Sequence, residues 1–483
     1  MFRRVLIANR GEIARRLVRA CHAVGAEAVA VYSEADSELP YVAEADAAVA
    51  IGPGPAAESY LAVAAILEAA RATGAEAVCP GYGFLSERAD FAEAVEAAGL
   101  VWVGPPPSAM RAMADKVDAR RIVAAAGVPV VPGSDGPVEP AEALAVARGL
   151  GYPLMCKAAK GGGGIGMAVV RSDEELLAAL DTARARAAAA FGDAAVFLER
   201  CVENPRHIEV QVLGEAGGRV FHLFERECSV QRRHQKVIEE TPSTALDDGT
   251  RRALCEAAVR AAEAVGYRSA GTVEFIHGTT GGAGHGDGAD GARAFSGEAQ
   301  SGGAFYFLEM NTRLQVEHPI TEATLGVDLA AAMLRIAASE PSGIDPAVLR
   351  PRGHAIEFRI YAEDPVRFLP SPGLITAWEE PSGEGIRVDS GVRNGVRVSH
   401  FYDPLLAKLI VSGPDRDTVI ARSEAALRHF RVEGVRNNIP AHLEVLASPE
   451  FRSGAYDTGL LDRIKARRDA AKKSAAAVAG ASA

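Results

Sequence analysis

The sequence predicts an α/β protein whose N-terminal part is a doubly wound parallel sheet. Over the first hundred residues, short apolar strands alternate with amphipathic helices, and this alternation is typical of parallel sheets with helices on both faces. Each strand also ends at glycine or polar residues, where such sheets carry their turns. After residue 130 the chain changes to glycine loops and polar strand motifs, and a separate mixed α/β unit is predicted over 350–450.

The first predicted strand is VLIA at 5–8. A helix follows it, with Ile13, Leu17 and Cys21 on one face and Gly25 as its end. The other predicted elements of this part are a strand at 27–33, a helix over about 57–73, a strand at 76–80, another helix, and a strand at 100–104.

Two polar turns follow strands of this sheet, Asn9–Glu12 after the first strand and Gly81–Gly83 after the strand at 76–80. Ligands of doubly wound sheets bind at the carboxyl ends of the strands. We therefore expect both turns at the mouth of a ligand crevice.

The composition narrows the class of protein. The 483 residues are 48% hydrophobic, enough for two to four packed domains, and the formal net charge of −11 argues against a general nucleic-acid binder. Six cysteines without a CxxC pair indicate buried thiols in a reducing compartment. No stretch approaches the roughly 20 apolar residues that span a bilayer, and the N-terminus lacks the apolar core of a signal peptide. The sequence thus predicts a cytoplasmic protein without a membrane or nucleic-acid partner.

A glycine run, Gly161-Gly162-Gly163-Gly164-Ile165-Gly166, lies between two apolar strands. No GK[ST] follows it and no helix opens after it, so it is neither a Walker loop nor a dinucleotide fingerprint. The run is either a flexible hairpin or a nest of backbone N–H groups for phosphate. Lys157 on the preceding strand favours phosphate, and Lys116 is a candidate second lysine.

Polar residues continue along the strands after the glycine run. Glu199, Cys201 and Val202 suit a connecting strand whose backbone meets an adenine edge. The next polar residues, His207, Glu209 and Gln211, alternate with apolar ones. The simpler interpretation of this pattern is a strand with one solvent-exposed face. A basic cluster follows, which is either an anion site or a surface patch and consists of Arg232, Arg233, His234 and Lys236.

Two strands, GTVEF at 271–275 and FYFLEMN at 305–311, are predicted to pair as a hairpin. That pairing brings Glu274 and Glu309 together, and adjacent carboxylates repel unless a cation lies between them. Mg²⁺ suits such a pair, and Asn311 offers a further oxygen ligand.

The segment EMNTRLQVEHP at 309–319 alternates polar and apolar residues, as a strand does. As a continuous strand it would hold Glu317 roughly 26 Å from Glu309, too far for shared chemistry. We therefore predict that strand geometry ends near Asn311. Arg313, Gln315 and Glu317 then gather beside the metal as an anion fork, an amide donor and a base.

Two segments look non-structural. Residues 277–303 are glycine-rich and predict a flexible surface loop, and residues 465–483 predict a basic helix end that passes into a disordered tail.

Together these motifs resemble the biotin carboxylase family of the ATP-grasp superfamily. The resemblance covers nearly the whole chain and is carried by VLIANRGEIA, KAAKGGGGIGM, ENPRHIEVQV, ECSVQRRHQKVIEE, EMNTRLQVEHPITE, HAIEFRIYAEDP and FLPSPG. It implies an N-terminal domain over 1–113, an ATP-grasp domain over 114–340 and a C-terminal mixed α/β domain over 341–455. Within the ATP-grasp domain it implies a mobile glycine-rich lid at about 130–203 and an insertion at 277–303.

The resemblance implies ATP- and bicarbonate-dependent carboxylation of biotin through carboxyphosphate, with Mg²⁺ or Mn²⁺ as the metal. The implied metal ligands are Glu274 and Glu309, and the implied base is Glu317. The bicarbonate site is implied to consist of Lys236, Arg313, Gln315, Val316 and Glu317, and Arg359 is implied to stabilise the biotin enolate. The ATP-contacting positions implied are Lys116, Lys157, Gly161, Gly162, Gly163, Gly164, Gly166, Met167, Glu199, Cys201, Val202, His207, Gln231 and His234.

The resemblance also implies partners. Because no Met-Lys-Met biotinylation motif occurs, we expect a separate biotin carboxyl carrier protein and separate carboxyltransferase subunits, as in an acetyl-CoA or acyl-CoA carboxylase of fatty acid biosynthesis. A homodimer is a further expectation: Arg19 and Arg387 match interface positions of bacterial members, whereas Ala23 and Glu384 do not carry the usual partners.

Two other functions compete with this one. Another ATP-grasp ligase, such as a carbamoyl-phosphate synthetase, would share the glycine run, the lysines and the metal carboxylates. A nucleotide-binding scaffold without catalysis would need no intact reaction centre. Arg313, Glu317 and Arg359 are all present, which favours biotin carboxylation over both.

Overall fold

The computed structural model describes residues 1–159, 167–278 and 304–481. The elements of its first part are β1 (Arg4–Ile7), α1 (Gly11–Ala23), β2 (Glu27–Tyr32), α2 (Pro40–Glu44), β3 (Ala47–Ala50), α3 (Val63–Thr73), β4 (Ala77–Cys79), α4 (Ala89–Ala97), β5 (Val101–Trp102) and α5 (Pro107–Ala114). Their five strands form a wholly parallel sheet in the order β3-β2-β1-β4-β5. The predicted doubly wound sheet is thereby confirmed. The prediction missed the short strand β3, and the helix predicted from about residue 57 begins at Val63.

The carboxyl edge of this sheet brings the two polar turns together, as expected. The Asn9 Nδ2 atom donates to the carbonyl oxygens of Pro80 and Tyr82, 2.6 Å away in both cases. The edge is not an open crevice at α1, however. Gly391 of the C-terminal part packs so closely there that a Cβ atom on it would lie 2.5 Å from the backbone nitrogen of Glu12. The chain itself therefore covers part of the predicted ligand mouth.

A small subdomain follows. Its elements are α6 (Lys116–Ala125), α7 (Pro140–Leu150), β6 (Leu154–Ala158), β7 (Ala168–Val170), α8 (Asp173–Phe191) and β8 (Val196–Arg200). The three strands form an antiparallel sheet in the order β7-β6-β8. The predicted strands on either side of the glycine run are therefore present and paired. The glycines at 161–164 and 166 lie outside the described residues.

The central elements are β9 (Arg206–Gly214), β10 (Val220–Arg232), β11 (Gln235–Thr241), α9 (Asp248–Glu263), β12 (Ser269–Gly278), β13 (Ala304–Asn311), α10 (His318–Leu325) and α11 (Leu329–Ala337). The hairpin of β12 and β13 was predicted. The predicted loop at 277–303 begins two residues too early, because His277 and Gly278 still belong to β12. Residues 279–303 lie outside the described part.

The C-terminal elements are β14 (His354–Tyr361), β15 (Gly373–Leu374), β16 (Ala377–Glu379), β17 (Ile386–Ser390), β18 (Arg397–Val398), β19 (Leu405–Gly413), α12 (Arg416–His429), β20 (Arg431–Glu433), α13 (Ile439–Ala447), α14 (Pro449–Ser453) and α15 (Leu460–Ala481). The prediction of a separate unit here is wrong in one respect. Three of its strands extend the central sheet, giving the antiparallel order β13-β12-β9-β10-β11-β14-β19-β17. The predicted basic helix end after residue 465 is present, but no disordered tail follows it within the described residues, because α15 continues to Ala481, in keeping with the high helix propensity of its many alanines.

One apolar cluster joins the three parts of the chain. It contains Ile7 of the first sheet, Leu314 of the loop after β13 and Phe358 of the shared sheet, all fully buried. Burying each such side chain contributes about 1.5–3 kcal/mol. The loop that was predicted to carry reactive groups is thus anchored by an apolar residue at its centre.

Candidate active site

A row of carboxylates crosses the central sheet. The register places Glu274 of β12 opposite Glu309 of β13 on one side and opposite Glu209 of β9 on the other. Directly opposed residues of an antiparallel pair point to the same face of a sheet. The three carboxylates therefore line one face, and the predicted juxtaposition of Glu274 and Glu309 is confirmed.

A β-bulge at Leu308 makes this row possible. Glu274 pairs with Glu309 but the next residue, Phe275, pairs with Phe307, so that Leu308 has no opposite residue. Without this extra residue, Glu309 would share a face with Phe307, which contacts Phe275 in the core with ring centroids 6.5 Å apart. Bulges re-aim side chains in this way and are common beside active sites.

Lys236 of β11 lies at the centre of the acidic face. Its Nζ atom is 2.7 Å from Glu274 Oε1 and 2.8 Å from Glu317 Oε1, and it also contacts Glu209. Burial disfavours the ammonium, but attraction to the three carboxylates outweighs burial and raises the pKa of Lys236 well above its ordinary value. The same attraction outweighs burial at Glu317 and Glu274, so the pKa of both carboxyl groups is lowered. Lys236, Glu274 and Glu317 are therefore charged at neutral pH.

The chain leaves the sheet at Asn311, as predicted. Arg313 lies in the loop that follows, where its Nη2 atom donates to Asn311 Oδ1 at 3.1 Å and its Nη1 atom to Gln315 Oε1 at 2.5 Å. Gln315 Nε2 in turn donates to Glu274 Oε1 at 3.0 Å. Glu317 immediately precedes α10 and is fully buried. The strand therefore ends at Asn311, and the polar side chains of the loop that follows gather around the carboxylate row.

Arg359 of β14 faces the same centre from the neighbouring strand. Its Nη2 atom donates to Glu317 Oε2 at 3.0 Å and its Nε atom to Glu239 Oε1 at 2.7 Å. Burial raises the pKa of Glu239 to about 7, against the attraction of Arg359. The backbone carbonyl of Arg359 accepts from Asn438 Nδ2 at 2.9 Å and lies 2.9 Å from His442 Nε2, so α13 and the turn before it fix this strand.

Two predicted lysines lie beside the subdomain sheet. Lys157 of β6 contacts Glu199 of β8, and Arg120 Nη1 donates to the other Glu199 oxygen at 2.6 Å. Burial, together with the nearby charges of Lys116 and Arg120, lowers the pKa of Lys157 to about 7. Lys116 Nζ is 3.4 Å from Glu309 Oε2 and so links this sheet to the carboxylate row.

The other predicted ATP-contacting residues lie around these lysines. His207 Nε2 is 3.0 Å from Glu274 Oε2. His234 occupies the turn between β10 and β11, and burial together with Lys157 and His207 lowers its pKa. The remaining described positions are Gln231, which donates to the Cys228 carbonyl, Cys201 and Val202, which follow β8, and Met167, which precedes β7.

Sequence reasoning missed Arg226 of β10. Its fully buried guanidinium donates to Glu209 Oε1 at 2.5 Å, Gln211 Oε1 at 2.7 Å and Thr272 Oγ1 at 3.0 Å. A further bond, of 3.0 Å, reaches Thr321 of α10, which covers this face of the sheet. The interpretation of the face at 207–211 as solvated is therefore wrong. Phe224, Cys228 and Val230 share the parity of Arg226 in this strand, and an arginine among them was the available signal.

The donor set fits a hard divalent cation. Glu274 and Glu309 offer carboxylate oxygens on one face, and the side-chain nitrogens of Lys236, His207 and Lys116 already lie against them. Asn311 shares this face, and its Nδ2 atom is 2.8 Å from Glu274 Oε1. An oxygen-rich, anionic site of this kind suits Mg²⁺.

Three family models match the chain in succession. The model of the biotin carboxylase N-terminal domain matches residues 1–110. The model of the carbamoyl-phosphate synthase L chain ATP binding domain matches 115–282 and 290–343. The model of the biotin carboxylase C-terminal domain matches 357–463.

Similar proteins match this chain over nearly its whole length. The biotin carboxylase of Halalkalibacterium halodurans is 48% identical over 462 residues, covering 95% of this chain and 97% of that protein. The biotin carboxylase of Pseudomonas aeruginosa is 46% identical over 465 residues, covering 96% of this chain and 98% of that protein.

Solved structures share the fold of this chain. The biotin carboxylase–β-γ-ATP complex from Campylobacter jejuni superposes with a TM-score of 0.89 at 42% identity, covering 96% of this chain and 99% of that one. The biotin carboxylase domain of the Hydrogenobacter thermophilus 2-oxoglutarate carboxylase, a dimer with MgADP, ADP and bicarbonate, gives a TM-score of 0.86 at 41% identity, covering 96% and 98%. On its fold, its carboxylate row and these full-length matches, the chain belongs to the biotin carboxylase family.

Proposed function

We propose that this protein carboxylates biotin held on a separate carrier protein, using ATP and bicarbonate. The observation that carries the proposal is the meeting of Arg313, Gln315 and Glu317 with Lys236 and Arg359 beside the Glu274 carboxylate. A fork of arginine donors, an amide, an ammonium and a carboxylate suit a small planar oxyanion with one proton to lose. The family membership and the bicarbonate bound in a related structure support the same substrate.

In this proposal Glu317 removes the proton of bicarbonate. The carbonate oxygen attacks the γ-phosphorus of ATP, ADP leaves, and carboxyphosphate forms. Carboxyphosphate then breaks into CO₂ and phosphate. Lys236, 2.8 Å from the Glu317 carboxylate, holds the anion against its base, and Arg313 orients it.

Lys116 and Lys157 are proposed to bind ATP phosphates, and Glu274 and Glu309, with Asn311 beside them, to hold Mg²⁺. When bound, Mg²⁺ supplies positive charge to the phosphate oxygens. The other proposed ATP contacts are Met167, Glu199, Cys201, Val202, His207, Gln231, His234 and, outside the described residues, the glycines at 161–164 and 166.

Arg359 is proposed to serve the second half of the reaction. The released phosphate takes the proton of the biotin N1′ atom, which leaves negative charge on the ureido oxygen, and N1′ attacks CO₂. The guanidinium of Arg359 is fixed by Glu239 and by the carbonyl contacts of its own strand. A fixed donor of this kind stabilises developing charge without reorganising.

The direct test is ATP hydrolysis by the purified protein with Mg²⁺ and bicarbonate. We expect ADP release to require bicarbonate, to rise when free biotin is added, and to accompany transfer of labelled carbonate to biotin. Chelation of Mg²⁺ should abolish the reaction, and Mg²⁺ or Mn²⁺ should restore it. Turnover that ignores biotin and needs ammonia or an amino acid would instead support a carbamoyl-phosphate synthetase-like ligase.

Lys157 gives the affinity for ATP a pH dependence. Its pKa of about 7 in the free protein means that it loses its proton as the pH rises above 7, whereas bound phosphates favour the charged form. We expect the Kd of ATP to rise by up to about tenfold per pH unit above pH 7, with proton uptake on binding. Calorimetric titrations in buffers of different ionisation enthalpy measure that uptake. The Lys157→Arg variant, which stays charged, should remove the dependence, and an unchanged slope in it would contradict this assignment.

We further propose biotin carboxyl carrier protein and carboxyltransferase subunits as partners, and a homodimer. The alpha chain of the Ruegeria pomeroyi propionyl-CoA carboxylase and the biotin carboxylase domain of the 2-oxoglutarate carboxylase, both similar to this chain, belong to carboxylases named for different acceptors. The proposed dimer surface contains Arg19 and Arg387, which pair within the chain with Asp389 at 3.5 and 2.7 Å. Among the described residues, no helix is long and apolar enough to cross a membrane.

A further inference from the structure

A buried lysine outside the proposed reaction centre touches the loop that carries Glu317. Lys408 lies on β19, is fully buried, and its Nζ atom donates to the backbone carbonyl of Val316 at 2.8 Å. The register places it directly opposite Arg359 on one neighbouring strand and Asp389 on the other. Lys408 therefore shares a face of the sheet with the arginine of the reaction centre.

The Val316 carbonyl needs such a donor because of the local sequence. In a turn, the carbonyl of residue i commonly accepts from the N–H of residue i+3, which for Val316 is Pro319 and has no N–H. Among the described residues, Lys408 is the side chain that donates to this carbonyl. Val316 is half-buried, and a carbonyl shielded from water and left without a donor costs up to about 1–3 kcal/mol, so the loop would turn to find another partner.

The Lys408 ammonium lies near carboxyl groups of α1 and β17, those of Glu12 and Asp389. Its Nζ atom is 3.3 Å from Glu12 Oε2, in the first turn of α1, and 5.6 Å from the centre of the Tyr82 ring, in the turn after β4. Glu12 is itself buried, and burial raises the pKa of its carboxyl group to about 7 in spite of Lys408. The Lys408 ammonium thus contacts both the first turn of α1 and the peptide immediately before Glu317.

We propose that Lys408 is a positioning residue for bicarbonate activation, which fixes the Val316–Glu317 peptide through the Val316 carbonyl. The inference rests on the proposed function. Lys408 touches no substrate in this scheme; it acts by holding the backbone from which Gln315 and Glu317 project. Its loss should weaken use of bicarbonate while leaving the ATP site, on the other side of the carboxylate row, as it was.

The test separates this role from simple charge pairing. Three variants are compared with the parent: Lys408→Met, Glu12→Gln, and the double variant with both changes. Glu12→Gln keeps the donor to Val316, so we expect a KM for bicarbonate within about twofold of the parent. Both variants with Lys408→Met should raise that KM roughly 10- to 100-fold, the range for losing one hydrogen bond from a charged group, with the KM for ATP nearly unchanged.

The double variant is decisive because it leaves neither Glu12 nor Lys408 charged. If it regains both the melting temperature and the bicarbonate KM of the parent, Lys408 serves only to neutralise Glu12 and the proposal fails. If it does not fold, Lys408 is a determinant of folding and the proposal also fails. A parent protein without bicarbonate-dependent ATP hydrolysis would refute the proposed function itself, which the same assay shows separately.

Discussion

Replacing Glu317 with glutamine is expected to lower the kcat of bicarbonate-dependent ATP hydrolysis by roughly two to four orders of magnitude, the range for losing a general base. Glutamine fills the same space between Lys236 and Arg359, but its amide cannot take a proton from bicarbonate. The Glu317 carboxyl group is held ionised by these two cations, which lower its pKa against the effect of burial. Glu317 is therefore deprotonated, and able to accept a proton, at neutral pH.

A matched control lies on β14, two residues before Arg359. Glu357 is also a fully buried glutamate, but burial raises its pKa well above the ordinary value and so favours the neutral form. The Glu357→Gln variant keeps the size of this side chain and resembles its neutral form, and we expect its kcat to stay within about threefold of the parent. Steady-state rates and melting temperatures of both variants are needed. Equal rates for the parent and Glu317→Gln would remove Glu317 from the role of base.

Replacing Arg226 with methionine is expected to lower the free energy of unfolding by about 3–5 kcal/mol, the usual cost of removing one partner of a buried ion pair. Methionine fills much of the volume of the arginine stem but leaves Glu209, Gln211 and Thr272 without their shared donor. Urea unfolding followed by circular dichroism measures the change. We expect activity to fall as well, because Glu209 also contacts Lys236.

Arg431→Met is the control for Arg226→Met. Arg431 bridges Glu379 at 2.6 Å and Glu433 at 2.8 Å, but its side chain is 52% exposed. Exposed ion pairs are screened by water and salt, so we expect the unfolding midpoint to stay nearly unchanged. A similar loss of stability in both variants would show that burial of the pair is not what matters.

The loop around Glu317 could be predicted because its residue types conflicted with its apparent periodicity. A strand over 309–317 would have separated groups whose chemistry belongs together, and the chain indeed turns after Asn311. The bulge at Leu308 could not be predicted in the same way. Residues 305–308 are a continuous apolar run, Phe-Tyr-Phe-Leu, so the sequence shows no break there. Only the partner strand reveals that the phase changes between Phe307 and Glu309.

Burial of the polar face of β9 was equally hidden. His207, Glu209 and Gln211 alternate with apolar residues as a solvated face does, and the sequence of this strand contains no sign of its cover. The cover is α10, more than a hundred residues later, which reaches the face through Thr321 and Arg226. The local sequence pattern thus predicted which residues share a face of the strand. Whether that face is exposed to solvent depends on packing with residues far away in the sequence.

The pairing of β11 with β14 bears on any attempt to divide the protein. Four residue pairs, from Ile238 with Phe358 to Thr241 with Ala355, join strands that lie on opposite sides of the boundary between the second and third family models. A fragment ending at that boundary would expose the backbone of β11 as a bare edge, ready to pair with other copies and precipitate. Fragments meant for expression should therefore keep β14 and β19, and a protease cut between residues 343 and 354 need not separate the two halves.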